Sequence, residues 1–180
     1  LYVFYQLTEQ GDSDLAYTMA TQEDYPGLGY MLSQGATTVW ERWNCDKITV
    51  GSGSLNHPAF ASVDAWFYRA LAGIRPDPAA PGFKRFIIKP EVVGDLTWAK
   101  ASYNSIHGTI NSHWTRDGNT LTLNVTIPVN TRASIYLPIS DADAVRESGH
   151  PIGNMPEISL QTGNSDGVIL NAVSYTHLRA

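Results

Sequence analysis

One carboxylate of this chain lies between two indoles, and this combination could carry out chemistry on a sugar. Glu41 stands between Trp40 and Trp43, and a Gly/Ser-rich stretch leads from there to His57. Flat indole faces can stack on a sugar ring, and the apolar surroundings they create suit a carboxylate that acts as a general acid or base. The imidazole of His57 could donate a hydrogen bond to a sugar hydroxyl. The stretch from residue 35 to residue 58 therefore predicts part of a sugar-processing site.

Each of these residues also has a purely structural interpretation. Most carboxylates of a folded protein lie on its surface, and tryptophans at this spacing could pack into a core. His57 directly precedes Pro58, a residue suited to the first turn of a helix, so His57 or Asn56 could cap that helix. The residue types and spacing leave both interpretations open, although we expect at least one of the two tryptophans to pack inward.

Composition argues against several kinds of partner and chemistry. The net charge is −5 over 180 residues and the sequence has no basic stripe that could neutralise phosphates, which argues against nucleic acid as a partner. An aromatic content of 11% suits a neutral ligand such as a carbohydrate. Cys45 is the single cysteine, so no intrachain disulfide or metal–thiolate cluster can form. His107, His113 and His150 lack the spacing of a metal site, and the sequence contains no nucleophile elbow or phosphate-binding loop. We therefore predict no cofactor and no metal, and the absence of an apolar run near ~20 residues argues against a membrane helix.

The first part of the chain has the pattern of short helices. Helical patterns run over residues 1–10, from about 13 to Thr21, and from about 26 to Gly35, followed by an extended or looped segment to Trp40. A further helix is predicted from Pro58 to Gly73. Because the chain opens inside a helical pattern without a starting Met, we expect a fragment whose first helix begins upstream.

The second part of the chain alternates polar and apolar residues with the period of a β-strand. Asp117-Gly118 is a strong hairpin signal between two such segments. The predicted strands cover residues 83–90, 95–104, 107–114, 121–128, 131–138, 143–145, 158–161 and 168–173. Many short strands with turns between them predict an antiparallel β-sandwich after the helices.

The sequence therefore predicts separate helical and β domains. The division falls in the proline-rich stretch near residues 74–82, which gives a helical domain over residues 1–78 and a sandwich over 79–173. Residues 174–180, SYTHLRA, resemble the translation of a cloning adaptor and are excluded from the fold prediction.

Several segments together resemble the bacterial α-L-rhamnosidase family of inverting glycoside hydrolases. The resemblance begins near Tyr25, includes GATTVWERW and SLNHPAFASVDAWFYRALAGI, and continues through PGFKRFIIKP and GDLTWAKASYNSIHGTINSHW to LTLNVTIPVNTRASIYLP, which ends at Pro138. It implies the last helices of an (α/α)6 barrel followed by a C-terminal antiparallel β-sandwich. It also implies cleavage of terminal α-L-rhamnose from glycosides or polysaccharides, in an exported bacterial protein.

The resemblance assigns roles to three of the candidate residues. Glu41 matches the catalytic base, His57 a residue that contacts rhamnose, and Trp43 a residue that lines the pocket. In the family the general acid lies well upstream of the matched region, so we expect these 180 residues alone to be inactive. We also expect their helical part to expose a large apolar face.

Two alternatives remain open from the sequence. The sandwich could be a non-catalytic carbohydrate-binding or structural module, with Trp98, Tyr103 and Trp114 as its binding platform. The same three aromatic residues could instead pack against the helical barrel. The helical part could also belong to an (α/α)6 glycosidase that acts on a different sugar.

Overall fold

The computed structural model describes residues 2–44, 53–155, 158–162 and 167–173. Cys45 and most of the Gly/Ser-rich stretch lie outside these residues, as does the predicted adaptor tail. The chain forms two compact units, Leu1–Phe67 and Tyr68–Ala180. Among the described residues, no helix is both long enough and apolar enough to cross a membrane.

The first unit is helical, as the sequence predicts. Its helices are α1 Tyr2–Glu9, α2 Ser13–Thr21, α3 Leu28–Ser33, α4 Pro58–Ala61 and α5 Val63–Trp66. The helix predicted from Pro58 to Gly73 is wrong as one continuous element, because α4 and α5 are separate and a single π-helical turn, Phe67–Leu71, follows them. The Ser62 hydroxyl lies between α4 and α5 and donates to the Ala59 carbonyl at 2.7 Å. Such a bond competes with the regular backbone pattern of a helix.

Trp66 is the largest fully buried side chain among the described residues of the helical unit. It is fully buried, its ring lies 5.4 Å from that of Phe4, and its Nε1 donates to the Thr8 hydroxyl at 2.8 Å. These contacts join α5 to α1. A second small cluster forms around Met31 and Trp40.

Several large apolar side chains of the helical unit remain exposed. Tyr2 is 82% exposed and Leu32 is 71% exposed, and Leu15 on α2 is also largely open to solvent. Large apolar side chains exposed on three neighbouring helices are consistent with a face that another element covers. The exposure agrees with the expectation of an uncovered helix face.

The second unit consists of β-sheets that share one core. Its strands are β1 Ile74–Pro76, β2 Arg85–Ile88, β3 Trp98–Ser105, β4 Gly108–Asp117, β5 Thr120–Thr126, β6 Arg132–Leu137, β7 Arg146–Glu147, β8 His150–Pro151, β9 Ile158–Thr162 and β10 Val168–Val173. They form a five-stranded sheet in the order β1-β2-β6-β10-β9, a three-stranded sheet β3-β4-β5 and a two-stranded sheet β7-β8. Buried residues of the two larger sheets form one hydrophobic cluster, which includes Phe86 and Ile135 from one sheet and Trp114 and Leu123 from the other.

Three details of the second unit differ from the prediction. β1 occupies the predicted helix end and linker, where its edge position tolerates Pro76 because one side of an edge strand needs no hydrogen bonds. β2 and β6 are parallel rather than antiparallel, since the β3–β5 meander intervenes between them. Residues 142–144 form a 3₁₀ turn instead of a strand, because the Asp141 carboxylate accepts a hydrogen bond from the Asp143 backbone at 2.9 Å.

The structure removes one residue from the predicted binding platform of the β domain. Trp114 is fully buried and its Nε1 donates to the Leu71 carbonyl at 2.7 Å, so its ring is a core residue. Trp98 and Tyr103 remain partly exposed, at 59% and 39%. Alternation along the strands explains Trp98, which pairs with Thr115, the neighbour of Trp114, and so faces the opposite side of the sheet. Tyr103 pairs with buried Ile110 and therefore shares the face of Trp114.

Candidate functional site

Two short segments of the helical unit lie side by side and hold the predicted site residues. The Glu41 backbone N–H donates to the Ser54 carbonyl at 2.9 Å, and the His57 N–H donates to the Val39 carbonyl at 2.8 Å. We call residues 38–41 and 54–57 the clasp. These bonds bring residues 16 positions apart in the sequence, Glu41 and His57, onto adjoining stretches of backbone.

The Glu41 carboxylate is held through one of its two oxygens. Its Oε2 accepts a hydrogen bond from the backbone N–H of Ser54 at 2.8 Å, and the side chain is half-buried. Oε1 has no hydrogen-bond or ion-pair partner among the described residues. One oxygen is therefore fixed by the fold, while the other can accept a proton from a water molecule or a hydroxyl group.

His57 is the N-cap of α4, as its structural interpretation predicts. Its Nδ1 accepts a hydrogen bond from the Ala59 backbone N–H at 3.2 Å. In a neutral imidazole whose Nδ1 accepts, the proton is on Nε2. Nε2 has no partner among the described residues, so the ring can cap the helix with one nitrogen and donate to a ligand with the other.

The two tryptophans beside Glu41 have different environments. Trp40 is 5% exposed and packs with Met31, so it is the one that turns inward, and the expectation that at least one would do so is confirmed. Trp43 is half-buried and stacks on Phe60 of α4, with ring centroids 4.0 Å apart and an angle of 27° between the planes. The Phe60 contact holds the indole from one side.

Two cavities of the helical unit lie near the clasp. Trp43 and Phe60 line a cavity of about 240 Å³ together with Val3 and Phe4 of α1. A larger cavity of about 570 Å³, with mainly apolar walls, lies beside α3. Neither cavity is lined by Glu41 or His57, and no group of three or more metal-ligating side chains occurs among the described residues.

The sequence pattern singled out the candidate side chains but missed the groups that hold them. Ser54 acts through its backbone N–H, which every residue except proline possesses, so its residue type carried no signal. Phe60 was predicted as a helix residue on grounds of periodicity, and nothing in that pattern pointed to Trp43.

A helical unit that holds a carboxylate, an indole and an imidazole, followed by a β-rich unit, agrees with the glycoside hydrolase that the sequence resemblance implies. Comparison with known families agrees. The bacterial alpha-L-rhamnosidase 6 hairpin glycosidase domain matches residues 2–71, and the bacterial alpha-L-rhamnosidase C-terminal domain matches residues 73–150. The chain therefore belongs to the bacterial α-L-rhamnosidase family.

Individual relatives are longer proteins that this chain matches only in part. It is 35% identical to an alpha-L-rhamnosidase of Streptomyces avermitilis over 149 residues, which are 79% of this chain and 14% of that protein. It is also 35% identical to an alpha-L-rhamnosidase of Formosa agariphila over 159 residues, 86% of this chain and 17% of that protein. The chain thus spans less than a fifth of either relative.

Solved structures of the family have the same fold over this region. The alpha-L-rhamnosidase from Dictyoglumus thermophilum superposes with a TM-score of 0.85 at 36% identity, covering 96% of this chain and 19% of that one. The Streptomyces avermitilis alpha-L-rhamnosidase complexed with L-rhamnose superposes with a TM-score of 0.82 at 29% identity, covering 98% of this chain and 17% of that one.

Proposed function

We propose that the full-length protein is an α-L-rhamnosidase that hydrolyses terminal α-L-rhamnosyl residues of glycosides or polysaccharides with inversion, and that Glu41 is its general base. The observation that carries the proposal is the asymmetric environment of the Glu41 carboxylate. A backbone N–H holds Oε2, whereas Oε1 has no partner among the described residues. The names of the relatives and of the matching family domains supply the substrate class.

Inversion assigns a defined task to Glu41. An inverting enzyme uses one carboxylic acid to protonate the leaving oxygen and one carboxylate to deprotonate a water molecule on the opposite face of the sugar. The two groups stand about 6.5–9.5 Å apart to leave room for that water. Oε1 of Glu41 takes the proton of the water, whose oxygen bonds to the anomeric carbon as the glycosidic bond breaks. The general acid is expected in the part of the full-length protein that precedes these residues.

His57 and Trp43 complete the proposed site on this side. The Nε2–H of His57 donates to a rhamnose hydroxyl, while Nδ1 keeps its bond to Ala59 and so fixes the ring plane. Trp43 offers an indole face to the sugar ring, held in place by its stack on Phe60. His57 uses a nitrogen without a partner among the described residues, and half-buried Trp43 keeps part of its surface open although it also packs against the Met31–Trp40 cluster.

The proposal also assigns the two parts of the chain to two domains of the full-length enzyme. Residues 1–78 contain the last helices of an (α/α)6 barrel, and residues 79–173 form the C-terminal β-sandwich, to which strand β1 at the end of the first range also belongs. The exposed apolar residues of α1–α3 support the first assignment, because earlier helices of a barrel would cover them. The single core shared by the five-stranded and three-stranded sheets supports the second.

The test is a Glu41→Gln substitution in the full-length enzyme, which removes the base and nearly preserves the shape of the side chain. We expect kcat for nitrophenyl α-L-rhamnoside to fall by about 10²–10⁴-fold, the usual contribution of a general base, with rhamnose binding retained. Glu23→Gln is the matched control, because Glu23 is an exposed carboxylate of the same unit. Near wild-type kcat in Glu41→Gln would remove Glu41 from the mechanism.

Proton NMR of the first product tests the stereochemistry separately. The β anomer of rhamnose must appear before mutarotation mixes the anomers. If the α anomer appears first, the reaction proceeds with retention and the assigned role of Glu41 is wrong.

A further inference from the structure

The β unit contains a basic cleft that no part of the proposed hydrolysis uses. A cavity of about 570 Å³ lies where β2 and β6 begin. Its lining residues are Lys84, Arg85, Asn130, Thr131, Arg132 and Val173. No carboxylate is among these lining residues, and three of them carry positive charge in a chain whose net charge is −5.

The strand register places two of the positive charges directly opposite each other. Arg85 of β2 pairs with Arg132 of β6, and Val173 of β10 lies on the other side of Arg132. Like charges opposite each other on neighbouring strands are destabilising. Arg132 therefore receives no ionic partner from either neighbouring strand. The repulsion between the two arginines lowers the stability of the sheet unless an anion offsets it.

Only one of these two arginines has an acidic partner within the protein. Arg85 Nε lies 3.1 Å from the Asp77 carboxylate. The Arg132 guanidinium has no hydrogen-bond or ion-pair partner among the described residues. Its five N–H donors remain available for a ligand.

The backbone around the cleft is held in place before any ligand binds. The Lys84 ammonium donates to the Asn130 carbonyl, and the Arg132 N–H donates to the Lys84 carbonyl at 3.1 Å. Buried Thr131 donates its hydroxyl to the Pro128 carbonyl at 2.6 Å. These bonds tie the turn before β6 to the residue before β2, so the backbone that carries the three cations does not depend on a ligand for its position.

We propose that this basic cleft binds the carboxylate of an acidic sugar. A guanidinium fork matches a carboxylate with two parallel hydrogen bonds, and Lys84 adds a point charge. The cleft is open to solvent, and its volume of about 570 Å³ leaves room for a single sugar beside the exposed cations. The choice of a sugar rests on the proposed function, since a rhamnosidase that acts on a charged polysaccharide would meet uronic acids next to rhamnose.

Titration of the isotopically labelled 180-residue chain, followed by NMR, tests this site without any hydrolysis step. The probes are D-glucuronate, inorganic sulfate and D-glucose. We expect glucuronate to shift the Arg132 side-chain Nε resonance and the backbone signals at the start of β2 and β6, with sulfate at least several-fold weaker and glucose without effect. Arg132→Gln should weaken glucuronate binding about tenfold, the loss expected for one charge-assisted contact.

Lys100→Gln is the matched control, because Lys100 is an exposed cation on β3 and the substitution changes the net charge equally. Lys84→Gln serves as a second variant within the cleft, and the amide spectrum of each variant reports whether it is folded. Equal weakening by Lys100→Gln, or no shift with glucuronate, would overturn the proposal. Sulfate binding as tight as glucuronate binding would overturn the assignment to a sugar. Because no rhamnoside is cleaved in this experiment, its outcome is independent of the role of Glu41.

Discussion

Replacing Trp114 should destabilise the β unit far more than replacing Trp98. Trp114 is fully buried between the sheets, and truncation of a buried tryptophan to alanine costs about 3–5 kcal/mol. The substitution also removes the hydrogen bond from Nε1 to the Leu71 carbonyl, which places the expected cost at the upper end of that range. Whole domains are stable by only about 5–15 kcal/mol, so the effect is large.

Trp98 provides an internal control on the neighbouring strand of the same sheet. It is 59% exposed and pairs with Thr115, the residue that follows Trp114. Trp98→Ala should cost less than about 1 kcal/mol, as most exposed substitutions do. The milder change Trp114→Phe keeps an aromatic ring but loses the N–H donor, and it should cost about 1–3 kcal/mol.

Urea unfolding of the 180-residue chain, combined with hydrogen exchange of the β4 amides, measures these differences in the β unit itself. Hydrogen exchange is needed because a chain with two compact units need not unfold in a single transition. Equal losses in the Trp114 and Trp98 variants would refute the placement of Trp114 in the core, as would a loss below 1 kcal/mol in Trp114→Ala.

Two further substitutions test the backbone at Gly73 and the double role of His57. Gly73→Ala should destabilise the β unit by more than 2 kcal/mol in urea unfolding, because Gly73 has a φ of +77° and a Cβ there would lie 2.3 Å from the Pro90 nitrogen. Gly118→Ala, at a turn glycine with φ of +55° and no atom within 4 Å of the added Cβ, isolates the conformational part of that cost. His57→Asn should retain the cap on α4, since asparagine is an equally good N-cap, yet raise KM for the rhamnoside in the full-length enzyme. Unchanged KM and kcat in His57→Asn would show that His57 acts only as a cap.

Most elements of the fold could be predicted from local patterns because those patterns reflect one-sided burial. The β4–β5 hairpin follows from alternation on both sides of Asp117-Gly118, and the structure confirms it. The prediction is wrong for residues whose secondary structure or strand pairing depends on partners distant in the sequence. Ile74 joins a sheet only because Ile88 lies beside it, and the parallel partner of β2 is separated from it by a whole meander. No local window of the sequence contains that information.

In the candidate site, too, the local sequence predicts some features, while contacts with distant residues decide others. Trp40 and Trp43 look alike in the sequence, yet one is buried against Met31 and the other stacks on Phe60. Their neighbours along the chain do not determine which of them faces the core, because α3 and α4 supply the contacts. The assignment of Glu41 as base instead depends on the family resemblance and remains a prediction until the substitution is made.

The clasp explains why the structural and functional interpretations of His57 are compatible. The cap uses Nδ1, and this bond sets both the tautomer and the plane of the ring, so the structural role prepares Nε2 as a donor. Glu41 is prepared in the same way, since the Ser54 N–H takes one oxygen and thereby orients the other. In both residues a backbone amide does the positioning. Substitution of the Ala59 side chain should therefore leave the proposed site intact, whereas the Ser54 hydroxyl also bonds the Asn56 backbone and is not expendable in the same way. Proline at position 54 or 59 would remove the amide and with it the orientation of Glu41 or His57.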